Sequence, residues 1–297
     1  ARGLISGGRA KTALIIAADM PLGAVSRNTY VNALAEAGPV HPDLERPYGP
    51  SVPSMFALVA RAHMHAYGTT PEQLAAVAIQ NRRAAGLHPN AHYRDAFDIA
   101  AYHGSKMIAE PLRLLDCAPV SDGGGAVVVT STERARHISK RSVDVVSAGF
   151  SGGHMHLSSA ASLTAFGAGT ALDRALSLAH MSRDSLDMAM VYDCFTIAML
   201  VNLEDLGFVA KGEAGPAFLE GRFEPSGATA EMPVNTHGGL LSHGHPARAG
   251  GMGHLIEAVM QLRGEAGDRQ LDRANTAMVH GMGGVFATHG VLILARP

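Results

Sequence analysis

Residues 191–195 (VYDCF) place a phenol, a carboxylate and a thiol in direct succession. They end an apolar run, residues 188–192, that predicts a buried strand, and they open a predicted helix at residues 195–206. Side chains at the carboxyl end of such a strand face the ligand crevice of α/β folds, and a helix N-terminus there favours a thiolate. Tyr192 and Cys194 are therefore candidate catalytic residues, although position alone fits a core role for Cys194 equally well.

A second segment, residues 235–246 (NTHGGLLSHGHP), forms an imidazole-rich loop whose backbone is constrained by glycines and a proline. His237, His243 and His245 lie within nine residues of one another. Such imidazoles suit a general base or an oxyanion donor. The alternating histidines resemble a zinc pattern, but no carboxylate or thiol follows at ligand spacing, so we predict no metal site.

A third segment, residues 279–284 (VHGMGG), is predicted to be a strand that turns through glycines. His280 beside bare amides could line a reaction centre. A structural turn with an incidental histidine is the alternative interpretation.

Strands alternate with helices along the rest of the chain, which favours α/β layers. Residues 12–17 and 126–130 are predicted to be buried strands, and residues 55–67 a helix. The N-cap Thr70, Pro71 and the capping-box partner Gln73 predict a helix to residue 85. Residues 87–111 and 211–231 are predicted to be mostly irregular. A charged stretch at residues 133–141 places the boundary between two halves, 1–138 and 139–297.

The composition indicates which classes of protein the sequence does not resemble. Of 297 residues, 47% are hydrophobic and 17% charged, and the net charge of −2 gives no electrostatic case for nucleic acid or a membrane surface. No apolar run approaches the ~20 residues of a membrane span. Cys117 and Cys194 lie far apart and are interpreted as free thiols of a reducing cytoplasm. Because the chain opens at Ala1 inside the end of a predicted helix, we expect it to be a fragment.

The motifs YDCF, NTHGGLLSHGHP, EAVMQLRGEAGDRQ and HGMGG, in that order, resemble the C-terminal domain of sterol-carrier-protein-type thiolases. Upstream, LLDCAPVSDGGGAVVV and YGTTPEQLAAVAIQNRRAAGLHPNAHYRD resemble bacterial lipid-transfer-type members of the same superfamily. The resemblance implies a five-layered αβαβα fold of two related halves, with the first half truncated and a loop domain inserted at about residues 21–110. It also implies a homodimer.

The resemblance assigns roles to single residues. His245 matches the histidine that activates the nucleophile and helps to bind the thioester oxygen, and Cys194 matches an acid/base cysteine. Tyr192 stands where these thiolases usually carry a histidine that organises an oxyanion hole. His280 stands where other thiolases carry their second active-site cysteine, with the Gly283 amide as a further oxyanion donor.

Coenzyme A is the implied co-substrate of the family. The contacts with it are assigned to the glycine-rich segments, at Asn235, His237, Gly238, Gly239 and Gly283. No metal is expected.

Three functions remain open at this point. A thiolase-type acyltransferase acting on a 3-ketoacyl-CoA comes first, with its nucleophilic cysteine expected just upstream of Ala1. The alternative is a retro-aldolase, because steroid side-chain aldolases of this type use tyrosines in Tyr-Asp-x-Phe and Ser-Tyr-Gly-His-Pro. Tyr192 matches the first tyrosine, whereas His243 replaces the second and would serve as a neutral base. Those aldolases imply a small OB-fold partner. A non-catalytic, thiolase-like subunit that binds coenzyme A or acts as a scaffold is the third interpretation.

Overall fold

The computed structural model describes residues 1–24, 26, 29–30, 33 and 40–297. Within that part of the chain the helices are α1 (Arg2–Ser6), α2 (Pro21–Ala24), α3 (Val52–Tyr67), α4 (Pro71–Gly86), α5 (Ile99–Gly104), α6 (Thr132–Ile138), α7 (Ala168–Ala179), α8 (Thr196–Asp205), α9 (Ala214–Leu219), α10 (Gly239–Ser242) and α11 (Gly251–Arg263). The strands are β1 (Thr12–Asp19), β2 (Met107–Ala109), β3 (Leu112–Arg113), β4 (Gly123–Thr130), β5 (Asp144–Gly152), β6 (Met188–Met190), β7 (Thr276–Gly283) and β8 (Thr288–Ala295).

Strands β5 to β8 form a four-stranded sheet in the order β5-β8-β7-β6. Strand β6 runs parallel to β7, and the other neighbours are antiparallel. Helix α7 packs on one face, where Gly149 of β5 leaves room for the main chain at Ala171. Ala258 and Leu262 of α11 join the apolar cluster on the other face. A sheet with helices on both faces confirms the predicted α/β class.

Strands β1 and β4 form a separate antiparallel pair, from Thr12 opposite Thr130 to Asp19 opposite Gly123. One face packs on α11. The other face exposes Leu14 and Ile16 to 61% and 66%. The prediction that residues 12–17 and 126–130 are buried strands was therefore wrong in burial, because no element among the described residues covers the outer face.

The predicted helix caps are confirmed. Thr70 accepts a hydrogen bond from the Gln73 amide, the Gln73 side chain accepts one from the Thr70 amide, and Gly68 closes α3 in the left-handed conformation. Two segments predicted to be irregular are partly regular. Helix α5 and the β2–β3 hairpin lie within residues 87–111, and α9 lies within residues 211–231.

The division into halves at 138/139 stays a prediction, as does the loop domain. Part of that loop domain, residues 25, 27–28, 31–32 and 34–39, lies outside the described residues.

Across the described part of the chain, every helix is too short or too polar to traverse a lipid bilayer.

Candidate active site

The end of β6 is held in place by an asparagine side chain. The Asn235 Oδ1 atom accepts a hydrogen bond from the Val191 amide at 2.8 Å, and Asn235 Nδ2 donates to the Val191 carbonyl at 2.8 Å. Asn235 is fully buried and has a positive φ of 49°. The Asn235 side-chain amide therefore pairs with Val191 as a neighbouring strand would. This pairing places Tyr192, the residue after Val191, at the end of the sheet.

Tyr192 and His245 are brought into direct contact. The Tyr192 hydroxyl lies 3.1 Å from His245 Nε2, with the two rings edge to face at 87°. Burial raises the pKa of Tyr192 above its ordinary value, and burial lowers the pKa of His245 to about 4. Both groups are neutral at pH 7, so the phenol can donate its proton to an uncharged imidazole.

Asp193 holds the loop that carries His245. This fully buried carboxylate accepts hydrogen bonds from the Leu240 amide at 2.8 Å and from Asn81 Nδ2 at 2.7 Å. The approach requires Gly239, which has a φ of 61° and on which a Cβ would collide with Asp193 Oδ2. The motif glycines therefore serve the close contact between this loop and the end of β6.

Cys194 lies in the apolar core and is 8% exposed. Burial raises the pKa of its thiol well above the ordinary value, with the Asp193 carboxylate adding to the effect. The expectation of a thiolate at the start of α8 was wrong, because the cost of burying a charge outweighs the helix N-terminus. Cys117, whose pKa burial raises to about 12, is also a free thiol, as predicted for both cysteines.

Four imidazoles lie side by side between the loop and α11. The ring centroids of His88 and His243 are 4.5 Å apart, those of His237 and His243 are 5.2 Å apart, and His237 Nε2 lies 3.1 Å from His254 Nδ1. Burial lowers the pKa of His243 to about 4 and that of His237 well below its ordinary value. In the described ranges no three His, Cys, Asp or Glu side chains are arranged to hold a metal ion.

His243 faces a cleft of about 730 Å³. Its walls come from residues 87–94, from residues 121–124 at the start of β4, and from α11. Its lining includes Glu257 and Arg269, which are joined in a buried ion pair at 2.9 Å. The lining mixes apolar side chains with imidazole, guanidinium and carboxylate groups, so the cleft offers both apolar surface and hydrogen-bonding groups to a ligand.

Comparison with known proteins agrees with the sequence motifs. A family model for a thiolase C-terminal domain-like region matches residues 149–296. An acetyl-CoA acetyltransferase of Methanothermobacter thermautotrophicus is 40% identical over 85% of this chain and 65% of its own. A steroid side-chain-cleaving aldolase of Thermomonospora curvata is 34% identical over 83% of this chain and 63% of its own. A solved structure of an Ltp2-ChsH2(DUF35) aldolase, 30% identical, matches with a TM-score of 0.85 over 99% of this chain and 74% of that chain.

The chain belongs to the thiolase superfamily. Its thiolase-like fold confirms the expectation from the motifs. The chain spans slightly less than two thirds of the length of the two curated relatives named above.

The other residues predicted for a thiolase-type site have the following places. His280 is fully buried, and its Nδ1 lies 3.4 Å from the Tyr192 amide. Gly283 ends β7 opposite Thr288, and Gly238 precedes α10 with a φ of 95°. Asn235 uses both amide atoms on Val191. Contacts of Asn235, His237 and the three motif glycines with coenzyme A stay predictions.

Residues missed from the sequence surround this thiolase-superfamily site. Asp193 lies between Tyr192 and Cys194 in the YDCF motif, so its position beside two candidate residues could have indicated that it belongs to the site. Asn81 and His254 lie within helices α4 and α11 and carried no such signal. Their roles follow from tertiary contacts with Asp193 and His237.

Proposed function

We propose that this chain carries the reacting groups of an acyl-CoA enzyme that breaks a carbon–carbon bond beside the thioester, by retro-aldol cleavage of a β-hydroxyacyl-CoA. The 3.1 Å contact between the Tyr192 hydroxyl and His245 Nε2 is the observation that carries this proposal. It supplies a phenol and a neutral imidazole that together can accept and return one proton.

The reaction balances with this pair alone. The Tyr192–His245 pair takes the proton of the substrate β-hydroxyl, and the Cα–Cβ bond breaks to leave a carbonyl compound and a thioester enolate. The proton then returns to the enolate carbon and gives a shortened acyl-CoA. The cleft beside His243 would receive the acyl-CoA, and His243 would serve as a second neutral base.

Thiolase-type acyl transfer is the second candidate. The archaeal acetyl-CoA acetyltransferase at 40% identity favours it. In that reaction His245 would activate the nucleophilic thiol and Cys194 would shuttle a proton. The motifs favour this reaction first, whereas the direct contact between the Tyr192 hydroxyl and His245 favours aldol cleavage.

The two reactions are separated by assaying the whole protein on a β-hydroxyacyl-CoA and on a 3-ketoacyl-CoA with free coenzyme A. We expect Tyr192→Phe to lose aldol cleavage by ~10²–10⁴-fold, as removal of an acid/base group does, and Cys194→Ala to retain it within several-fold. Tyr102→Phe is the matched control, because it also removes a buried phenol hydroxyl, one that binds Asp116. The proposal would be overturned if Cys194→Ala lost thiolysis while Tyr192→Phe kept full activity in both assays.

The assembly and setting are also proposed. The thiolase resemblance supports a homodimer, and the two-component name of the Ltp2-ChsH2(DUF35) aldolase supports a partner subunit, which by the resemblance to such aldolases would be a small OB-fold protein. The unpaired state of Cys117 and Cys194 supports a reducing compartment, the cytoplasm. Light scattering of the protein with and without a co-expressed partner would test the assembly, and a monomer in both samples would contradict it.

A further inference from the structure

A chain of hydrogen bonds begins at the main chain of Tyr192 and passes through two buried histidines, His280 and His289. The Tyr192 amide lies 3.4 Å from His280 Nδ1, and His280 Nε2 lies 3.1 Å from His289 Nδ1. His289 Nε2 in turn lies 3.1 Å from the Phe286 carbonyl oxygen. The two imidazole rings are stacked, with centroids 5.3 Å apart and planes 15° apart. Strand pairing brings β7 and β8 together so that these side chains meet.

The two ends of the chain determine the proton positions within it. The Phe286 carbonyl can only accept, so His289 must carry its proton on Nε2. In a neutral ring, Nδ1 of His289 then accepts from Nε2–H of His280. His280 Nδ1 is left to accept from the Tyr192 amide, which can only donate. Burial keeps both rings neutral, because it lowers the pKa of His289 to about 4 and that of His280 well below its ordinary value.

Both ends of the chain are anchored. Phe286 has a φ of 55°, a left-handed conformation that is unfavourable for an aromatic residue. Its ring is held by a stack on Phe166, with centroids 4.4 Å apart, and its carbonyl by His289. At the other end, the Tyr192 carbonyl accepts a hydrogen bond from Asn202 Nδ2 at 2.9 Å. The main chain of Tyr192 is therefore held from both sides.

We propose that His289, acting through His280, is a positioning residue that sets where the Tyr192 hydroxyl meets His245. Both nitrogens of His280 are used in this chain, so His280 positions Tyr192 as well and does not act as the base at the reacting atoms. The inference rests on the proposed function only in its kinetic consequence; the hydrogen-bond chain itself can be observed without turnover.

The first experiment is nitrogen NMR of the protein labelled with ¹⁵N-histidine at pH 7. We expect both His280 and His289 as neutral rings protonated on Nε2. A charged ring, or a proton on Nδ1 of His280, would refute the chain. Because no substrate is needed, this result stands even if the proposed reaction is incorrect.

The second experiment divides the two hydrogen bonds of His289 between two variants. In His289→Asn, Oδ1 can replace Nδ1 as the acceptor for His280, whereas in His289→Gln the amide can replace Nε2 as the donor to Phe286. We expect His289→Leu to lower kcat roughly tenfold with KM within twofold, the size of one lost positioning hydrogen bond. His289→Asn should retain more activity than His289→Gln.

His154→Leu is the matched control. His154 Nε2 bonds to the carbonyl of Val285, the neighbour of Phe286, but its ring is outside the chain that reaches Tyr192. We expect the control to lose stability without losing kcat and without moving the Tyr192 amide resonance. Equal loss of kcat in His154→Leu and His289→Leu, or a fully active His289→Gln beside an impaired His289→Asn, would overturn the positioning role.

Discussion

At the scale of single residues, this site is built from neutral imidazoles. Burial lowers the pKa of His243 and His245 to about 4, and it lowers that of His237 well below its ordinary value. An imidazole without charge can accept a proton from a phenol or a substrate hydroxyl, whereas an imidazolium cannot. The low dielectric that strengthens these contacts also keeps the rings uncharged, so burial leaves a nitrogen lone pair free to accept a hydrogen bond while it lowers the basicity of the ring.

The pH dependence of turnover follows from His245. In the proposed reaction its neutral form accepts the Tyr192 proton, and that form is lost as the pH falls through about 4. We expect kcat/KM for the β-hydroxyacyl-CoA to stay flat from about pH 8 to pH 5 and to fall below that range. An ordinary imidazole would give an acidic limb near pH 6.5. Stopped-flow assays after a brief pH jump measure the profile, with circular dichroism at each pH as the control for unfolding; a limb at pH 6–6.5 would contradict the assignment.

At the scale of elements, the site depends on how α10 begins. The Asp193 carboxylate accepts the Leu240 and Leu241 amides at 2.8 and 3.4 Å, so the loop and the end of β6 form one unit. Gly238, which precedes α10, and Gly239, its first residue, both have positive φ angles. A Cβ atom at Gly238 would collide with Ala85 and one at Gly239 with Asp193, so both positions exclude a side chain by space as well as by backbone conformation.

We expect Gly239→Ala to lower the free energy of unfolding by roughly 2–4 kcal/mol, the range for a strained backbone position combined with a steric clash. The displaced Asp193 should also lower kcat, because the loop carries His245. Gly251→Ala is the matched control, since a Cβ at Gly251 meets nothing within 4 Å. Urea unfolding and steady-state assays on both variants test this. A Gly239→Ala protein as stable and active as the control would show that the turn tolerates a side chain.

The elements also show what the sequence could predict. The caps of α4 follow from local chemistry at Thr70 and Gln73, so their positions were predicted correctly. The apolar run at residues 188–192 predicted a strand that gives way to a helix just after Tyr192, and the structure confirms this junction. The role of Asn235 could not be predicted, because its partner Val191 lies 44 residues away. The neutral thiol of Cys194 depends likewise on packing that no local pattern contains.

At the scale of the whole molecule, α11 joins the two sheets. Met252 and Ile256 lie over Gly125 of β4, while Ala258 and Leu262 pack on the four-stranded sheet. The same helix carries His254, which contacts the imidazole cluster. The burial of the site therefore requires both sheets at once. The continuous apolar run of β1 could not reveal that only its inner face is covered.

Burying neutral histidines also makes the stability of the whole molecule depend on pH. His237, His280 and His289 are at most 2% exposed, and their pKa values lie below the ~6.5 of an unfolded chain. Below pH 6.5 the unfolded chain binds protons at these histidines that the folded chain does not, and for His289 this difference extends down to about pH 4. Stability is therefore complete above pH 6.5 and falls as the pH is lowered, by about 1.4 kcal/mol per pH unit for each such histidine.

The contribution of one histidine can be isolated by difference. Between pH 6 and pH 4.5, we expect the unfolding free energy of His289→Asn to fall less steeply than that of the wild type, by about 1.4 kcal/mol per pH unit. Asp116 and Asp205, whose pKa values burial raises, act in the opposite sense, but they are common to both proteins and cancel. His137→Asn is the control, because it makes the same substitution at an exposed histidine. Urea unfolding at several pH values measures the slopes; if the His289→Asn slope equals that of the wild type, His289 is already protonated in the folded protein and the neutral chain behind Tyr192 is excluded.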